Sequence, residues 1–136
     1  MGSFGGNIKP FKGRQNLKFE DYEVRDTSGA KGLRHWICMK FVGDDGEFAS
    51  TSFNLWPNTD DDGCKKGNRI SMRTLTSFWM ACGLDDGTMP DDEMDKIKEA
   101  LNNYKGEITV SGEVFDDYNP NNQKTYTSVK NFEKAK

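Results

Sequence analysis

The segment Leu33–Val42 presents two different sets of side chains at alternate positions. Leu33, His35, Ile37, Met39 and Phe41 form an apolar set, and Arg34, Trp36, Cys38 and Lys40 form the other. A ring between two cations can stack on a nucleobase while the cations contact phosphate. The alternative is structural: a helix or a second copy of the chain covers Trp36.

Groups that could carry out catalysis are few. His35 is the single histidine and is expected to pack against Leu33 and Ile37. The sequence contains no Gly-x-Ser-x-Gly, His-Glu-x-x-His or Walker pattern. His35, Cys38, Cys64 and Cys82 are four potential zinc ligands, but their spacing is not that of a zinc ribbon. We therefore expect no enzyme activity, no metal and no cofactor, with Cys38 and Cys82 as small buried apolar residues.

The order of predicted elements indicates the fold class. Alternating and helical periodicities predict three strands, two helices and two further strands. They cover Leu17–Val24, Leu33–Val42, Glu47–Trp56, Ser71–Cys82, Asp91–Asn103, Gly106–Phe115 and Lys124–Phe132. This order predicts a mainly β protein with a helical insert: an OB-fold-like five-stranded barrel whose helices lie between strands 3 and 4. An unrelated β-sandwich or half-barrel with a helical insert would show the same order of strands and helices.

The chain has one domain by length. We expect a flexible N-terminal arm over residues 1–16, a single domain over 17–132 and a short tail over 133–136. Arg25–Gly32 and Pro57–Arg69 are predicted to be polar loops. The sequence has no secretory signal and no apolar run long enough to span a membrane, so we expect a cytoplasmic protein without membrane partners.

The register of the second and third strands decides which aromatic residue joins Trp36. A four-residue hairpin loop would place Phe53 on the Trp36 face, and a five-residue loop or a bulge would place Trp56 there. Both aromatic residues remain candidates, because the sequence does not distinguish these registers.

Charge is unevenly distributed along the chain. Lys plus Arg number 19 and Asp plus Glu number 22, a net charge of −3 that is unusual for a nucleic-acid-binding protein. The predicted loops at the ends of the barrel and the start of the fifth strand nevertheless carry cations and rings that could extend a binding surface. These are Lys31, Lys65, Lys66, Arg69, Tyr118, Lys124 and Tyr126. Asp116 and Asp117 would repel phosphate. Lys65, Lys66, Arg69 and Arg73 form a basic cluster after the third strand, and Arg69 and Arg73 could instead pair with the acidic residues that follow them.

Several short motifs resemble those of a phage family. Phe53-Asn54-Leu55-Trp56, Ile70-Ser71-Met72-Arg73-Thr74-Leu75, Ala81-Cys82-Gly83-Leu84 and residues 106–114 are similar to short phage and prophage proteins formerly catalogued as a domain of unknown function. The resemblance spans residues 17–132. It implies a sequence-nonspecific single-stranded-DNA-binding protein of phage replication or recombination, located in the host cytoplasm. Its partners would be single-stranded DNA and phage or host replication and recombination proteins.

A second interpretation is a protein-interaction module, such as a small phage inhibitor of a host protein on a similar barrel. The acidic balance of the chain favours it, and an exposed Trp would then be an interface anchor. The sequence also leaves a homodimer open. The chain ends in Glu133-Lys134-Ala135-Lys136, which is not the acidic tail through which many single-strand-binding proteins recruit partners.

Overall fold

A computed structural model describes residues 13–136 of the chain. Five strands and two helices follow one another in the predicted order. They are β1 (Gly13–Gly29), β2 (Gly32–Gly43), β3 (Phe48–Leu55), α1 (Asp62–Ala81), α2 (Met94–Tyr104), β4 (Thr109–Asn119) and β5 (Lys124–Lys134). The prediction of a mainly β chain with helices between strands 3 and 4 is confirmed.

The strands form a closed but uneven barrel in the order β1-β2-β3-β5-β4. β1 is long enough to pair antiparallel with β4 through its first residues and with β2 through the rest, with a register shift between Phe19 and Asp21. β3 and β5 are parallel and meet at a single pair, Ser50 with Ser128. The barrel is therefore closed weakly at one seam, the β3–β5 seam.

Aromatic residues fill the inside of the barrel. Ile37, Met39 and Phe41 of β2 are fully buried, as their alternation predicts. The rings of Phe19, Phe41, Phe78, Trp79 and Phe132 contact one another with centroid separations of 5.1–5.9 Å. Tilted and edge-on ring pairs of this kind stabilise a core beyond their buried area. The core thus joins α1 to strands β1, β2 and β5.

Helix α1 begins nine residues earlier than its periodicity predicts, so the predicted loop Pro57–Arg69 is wrong over residues 62–69. The Asp61 carboxylate caps the helix by accepting a hydrogen bond of 2.9 Å from the backbone N–H of Cys64. Two glycines, Gly63 and Gly67, disguise this part of the helix in the sequence because glycine disfavours helix interiors.

Two serines of α1 attach the helix beside the seam. Ser71 donates a hydrogen bond of 2.5 Å to the carbonyl of Asn54 on β3. The Ser77 hydroxyl donates to the carbonyl of Phe132 on β5 and accepts from its N–H, at 3.2 and 3.1 Å. The helix therefore supplies hydrogen bonds to both strands where they do not pair with each other.

Other element boundaries differ from the sequence-based ones. Residues 1–12 of the predicted arm lie outside the described residues, and residues 13–16 are the first residues of β1. The predicted loop Arg25–Gly32 is mostly strand, because β1 and β2 stay paired as far as Gly29 and Gly32. In residues 13–136, no helix has the length and apolar character needed to cross a membrane.

Candidate functional site

The pairing of β2 with β3 settles which residues share the outer face of the barrel. Trp36 lies opposite Asn54, and Val42 lies opposite Phe48, so five residues separate the last pair. This is the register in which Trp36 and Phe53 point to opposite faces. Phe53 is only 9% exposed and belongs to the core, so its predicted role as a binding residue is wrong.

A groove runs along this outer face beside the seam, between β2–β3 and the far end of the β4–β5 hairpin. One part has a volume of about 520 Å³ and the other about 580 Å³, and both parts share Cys38, Ser50 and Tyr126. We call this the outer-face groove. Its lining residues are Trp36, Cys38, Lys40, Phe48, Ala49, Ser50, Ser52, Asp116, Asp117, Tyr118, Asn119, Pro120, Thr125, Tyr126, Thr127 and Ser128.

Aromatic side chains line the outer-face groove on both sides. Trp36 lies on the β2 side, and Tyr118 and Tyr126 lie on the hairpin side with 58% and 44% of their surface exposed. Phe48 stands at the other end and is also exposed. Exposed rings that face a common groove are suited to hold flat ligands by stacking.

Trp36 is oriented by a neighbouring cation. The guanidinium of Arg25 on β1 lies 5.1 Å from the centroid of the Trp36 ring. Arg25 Nε is in turn 2.8 Å from Glu23 Oε2, which holds the guanidinium in place and offsets its charge. Trp36 is half-buried, and its side chain lines the outer-face groove.

Hydroxyl groups and charges of both signs complete the groove. Serine and threonine side chains of β3 and β5 lie between the aromatic residues: Ser50, Ser52, Thr125, Thr127 and Ser128. Lys40 contributes a positive charge, whereas Asp116 and Asp117 place negative charge on the hairpin side. Lys124 is exposed on β5 and pairs with Asn119 across the hairpin. The two sides of the groove are therefore electrostatically different.

Cys38 lies at the centre of the groove, where both parts meet. Burial raises the pKa of its thiol above the ordinary value of 9.0. A thiol with a raised pKa carries little thiolate at neutral pH and is a poor nucleophile. In residues 13–136 there is no group of three or more His, Cys, Asp or Glu side chains arranged to hold a metal ion.

His35 does not pack wholly against apolar neighbours as its sequence position predicts. Its Nδ1 lies 2.6 Å from Asp26 Oδ1 on the adjacent strand. This hydrogen bond lowers the pKa of the Asp26 carboxyl. Leu33, the predicted neighbour of His35, is an exposed residue at the end of β2.

Trp56 lies outside the outer-face groove. It does so although the five-residue connection gives the register in which Trp56 alternates to the same face as Trp36. It follows the end of β3, and its backbone N–H donates to Asn68 Oδ1 of α1 at 2.8 Å. Its ring packs so closely over Gly67 that a Cβ at residue 67 would lie 2.7 Å from Trp56 Cζ3. Trp56 therefore attaches the end of β3 to α1.

A smaller pocket of about 370 Å³ connects Trp56 with the tip of the β1–β2 hairpin and includes Lys31 and Arg34. Lys31 Nζ lies 3.7 Å from Asp61 Oδ2, so this cation is already paired with the capping residue of α1. Arg34 donates to Thr27 Oγ1 at 3.2 Å and keeps its charge without a carboxylate partner among residues 13–136. Arg34 and Trp36 are two residues apart on the same face of β2, about 7 Å along the strand.

The predicted basic cluster lies on α1, within its first twelve residues. Lys65, Lys66, Arg69 and Arg73 are all exposed, and none is among the residues that line the outer-face groove. Within residues 13–136, none of their side chains has an ion pair or hydrogen bond with another side chain. The alternative in which Arg69 pairs with the following acidic segment is therefore wrong for the isolated chain.

Among the residues that line this groove, the sequence predicts Trp36, Lys40, Tyr118 and Tyr126 as binding residues but not Phe48. Phe48, Ser50 and Ser52 alternate to the same face of β3. The sequence therefore predicts Phe48 on the groove face once the register is known. The position of the groove itself depends on the single β3–β5 pair, which no local pattern predicts.

Comparisons with known proteins identify no family for this chain. Neither a scan against protein-family models nor a search of curated proteins finds a match. The assignment of a function therefore rests on the groove and its side chains.

Proposed function

We propose that this protein binds single-stranded DNA, without base-sequence preference, along the outer-face groove of an OB-fold-like barrel. The observation that carries the proposal is the arrangement of Trp36 opposite Tyr118 and Tyr126, across a floor of hydroxyl groups beside Lys40. Rings, small polar groups and a cation in one open groove match the needs of a flexible strand with unpaired bases.

The architecture of the barrel supports its assignment to the OB-fold class. An OB-fold is a five-stranded, partly open barrel that binds its ligands on the face of strands 2 and 3, next to the loops that join strands 1–2 and 4–5. Here the groove lies on β2 and β3, and the β4–β5 hairpin forms its other side. The strand order β1-β2-β3-β5-β4 and the weakly closed seam are compatible with that class.

Stacking would supply binding free energy that does not depend on the base sequence. A base stacked on an aromatic side chain contributes about 1–3 kcal/mol by alanine substitution and tolerates every base. Trp36 is the platform on the β2 side, where the guanidinium of Arg25 lies 5.1 Å from its ring centroid. Tyr118 and Tyr126 offer further stacking platforms on the hairpin side of the groove.

Phosphates would lie on the β2 side of the groove. Arg34 and Lys40 extend from this strand and have no carboxylate partner among residues 13–136, and Lys124 adds a cation at the hairpin. Asp116 and Asp117 would repel phosphate from the hairpin side, so they would orient the strand with its bases towards Tyr118 and Tyr126. With cations on the β2 side and carboxylates on the hairpin side, the groove would bind the strand in one orientation, which a uniformly basic surface would not do.

The remaining predicted contacts fall outside this path. Lys31 is paired with Asp61, and Trp56 is packed on α1. Lys65, Lys66 and Arg69 are exposed on α1 rather than in the groove. The binding path proposed here therefore depends on Arg34, Trp36 and Lys40, together with Lys124, Tyr118 and Tyr126.

The biological setting follows from the motif resemblance and is part of the proposal. A phage protein that coats exposed single strands during replication or recombination would work in the host cytoplasm, with replication and recombination proteins as partners. Such binding requires no cofactor and no catalytic residue, since the ligand is held and not transformed.

Fluorescence polarisation of a labelled oligo-dT, with a matched duplex as competitor, tests the proposal. Trp36→Ala should weaken binding by roughly 5- to 160-fold, which corresponds to about 1–3 kcal/mol of stacking. Met80→Ala is the control, because Met80 is a large exposed apolar side chain on α1 that does not line the outer-face groove. A Trp36→Ala variant that melts like the wild type and binds oligo-dT equally well would refute the stacking role.

A protein ligand is the second candidate, and Asp116 and Asp117 favour it. Carboxylates next to exposed tyrosines are suited to a basic peptide at least as well as to a nucleic acid. If the wild type shows no affinity for oligo-dT at low salt, a labelled basic peptide should be tested in the same assay. Loss of peptide binding in an Asp116→Asn/Asp117→Asn variant would then support this alternative.

A further inference from the structure

The solvent face of α1 combines positive charge with exposed apolar side chains. Lys66, Arg69 and Arg73 recur at i, i+3 and i+7 and therefore share one face. Ile70 and Met80 adjoin this face and are 49% and 57% exposed. The face therefore combines three cations with two large exposed apolar side chains. We call these five residues the α1 basic face.

The segment that follows α1 carries the opposite charge. Residues 85–95 contain Asp85, Asp86, Asp91, Asp92, Glu93 and Asp95 and no basic residue. Asp91 and Glu93 pair with Lys96, and Asp85 accepts hydrogen bonds within its own turn. Asp86, Asp92 and Asp95 have no ion-pair partner in residues 13–136. We call residues 85–95 the acidic segment.

The two charged surfaces do not meet within one chain. Asp92 and Asp95 line a cavity together with Asn68 of α1. At 100° per residue, Lys66, Arg69 and Arg73 lie about 100–160° around the helix axis from Asn68. The acidic segment therefore borders one side of α1, and the α1 basic face points away from it.

We propose that the α1 basic face is a docking surface for the acidic segment of a second copy of this chain. The charge complementarity of the two surfaces and their lack of partners within the chain support this occupant. Because the two surfaces point to different sides of the same helix, the pairing is head-to-tail: the α1 basic face of one copy meets the acidic segment of the other, and the surfaces left free at the ends can add further copies. This inference does not depend on what the outer-face groove binds.

A dimer of this kind has a distinct physical signature. Exposed ion pairs are weakened by salt, since the Debye length falls from about 14 Å at 0.05 M to about 4 Å at 0.5 M. Ile70 and Met80 would become covered and supply the part of the contact that salt does not weaken. We expect the dimer dissociation constant to rise by about tenfold across this salt range.

Charge-reversal complementation tests the proposal. Arg69→Glu/Arg73→Glu and Asp92→Lys/Asp95→Lys should each be monomeric in sedimentation velocity, because each homodimer would bring like charges together. An equimolar mixture of the two variants should regain the dimer, because every contact in the mixed pair joins opposite charges. Lys18→Glu/Lys134→Glu is the control: it changes the net charge as much as the arginine variant does, but on the barrel.

Several results would overturn the inference. These are a wild type that stays monomeric at millimolar concentration, a dimer that survives both reversals, or a mixture that does not re-form it. A fourth is an arginine variant with wild-type oligomeric state but weaker oligo-dT binding, which would assign the α1 basic face to DNA. Circular dichroism shows whether each variant is folded, and Ile70→Glu provides an independent variant if the arginine pair is not.

Discussion

The salt dependence of oligonucleotide binding distinguishes between two paths for the strand. Each phosphate that a protein cation neutralises releases bound counterions, and log K falls with log salt at a slope of about −0.7 per cation for single strands. The groove path uses Arg34, Lys40 and Lys124. Arg25 is left out because Glu23 lies 2.8 Å from it and offsets its charge.

Three cations give a slope of about −2, so raising salt from 0.05 to 0.2 M should weaken binding by about 20-fold. A path that also used the four cations of α1 would have seven contacts and a slope of about −5. The same change in salt would then weaken binding by about 900-fold. The two paths differ by more than an order of magnitude in a quantity that is measured directly.

The assay is fluorescence polarisation with labelled oligo-dT at five or six salt concentrations. Lys40→Ala should reduce the magnitude of the slope by about 0.7, since it removes one phosphate contact. Lys134→Ala, which removes an exposed cation from the far end of β5, should leave the slope unchanged. A wild-type slope close to zero would refute the phosphate contacts of the groove, and a slope near −5 would refute the restriction to the groove.

Three further predictions concern stability and reactivity. Gly112→Ala should destabilise the fold by about 1–3 kcal/mol in urea denaturation, because the added Cβ would lie 2.5 Å from Val129 Cγ2 in the core. Cys38 should react slowly with iodoacetamide at pH 7 and faster above pH 9, because burial raises its thiol pKa, and bound oligo-dT should slow the reaction further. Asp61→Ala should lower the Tm, since the Asp61 carboxylate accepts the hydrogen bond that caps α1.

Each of these predictions has a control and a refuting outcome. Gly29→Ala adds a Cβ that meets no atom within 4 Å, so Gly112→Ala must cost clearly more than Gly29→Ala. Labelling of Cys38 that is as fast with oligo-dT as without it would contradict its position at the centre of the binding groove. Cys82, with a pKa raised to about 12, serves as the internal control.

The Asp61 prediction has a pH dependence with a definite sign. The backbone N–H of Cys64 lowers the Asp61 pKa below its ordinary value of 3.8. The capping contribution is therefore complete above pH 3.8 and is lost as the pH falls through the folded-state pKa. The Tm difference between wild type and Asp61→Ala should shrink in that acidic range. A difference that stays constant with pH would contradict the capping role.

Local patterns predicted those elements whose side chains alternate cleanly. β2 was expected at Leu33–Val42 and lies at Gly32–Gly43, and β5 begins at the expected Lys124. The sequence pattern does not predict residues 62–69 of α1 as helix, because their two glycines and the run of aspartates at the start of the helix resemble a loop. Gly67 is nevertheless required there, since the Trp56 ring occupies the space of a side chain. Its presence in a helix is a consequence of tertiary packing, which propensity does not include.

The candidate site shows the same division. The sequence alone determined that Arg34, Trp36, Cys38 and Lys40 share one face of a strand, because side chains alternate along every β-strand. It also determined that the chain has one histidine, no catalytic motif and uneven blocks of charge. These properties depend on residue type and on spacing between near neighbours.

Only the tertiary structure decided which residues complete that face. The five-residue connection between Val42 and Phe48 sets the register in which Phe53 points into the core. Phe53 and Trp36 are both aromatic, so residue type does not distinguish them. The single pair of Ser50 and Ser128 left room for the outer-face groove and brought Tyr118 and Tyr126 to it. Register and strand closure depend on contacts between residues distant in sequence, so no local pattern of residue types contains them.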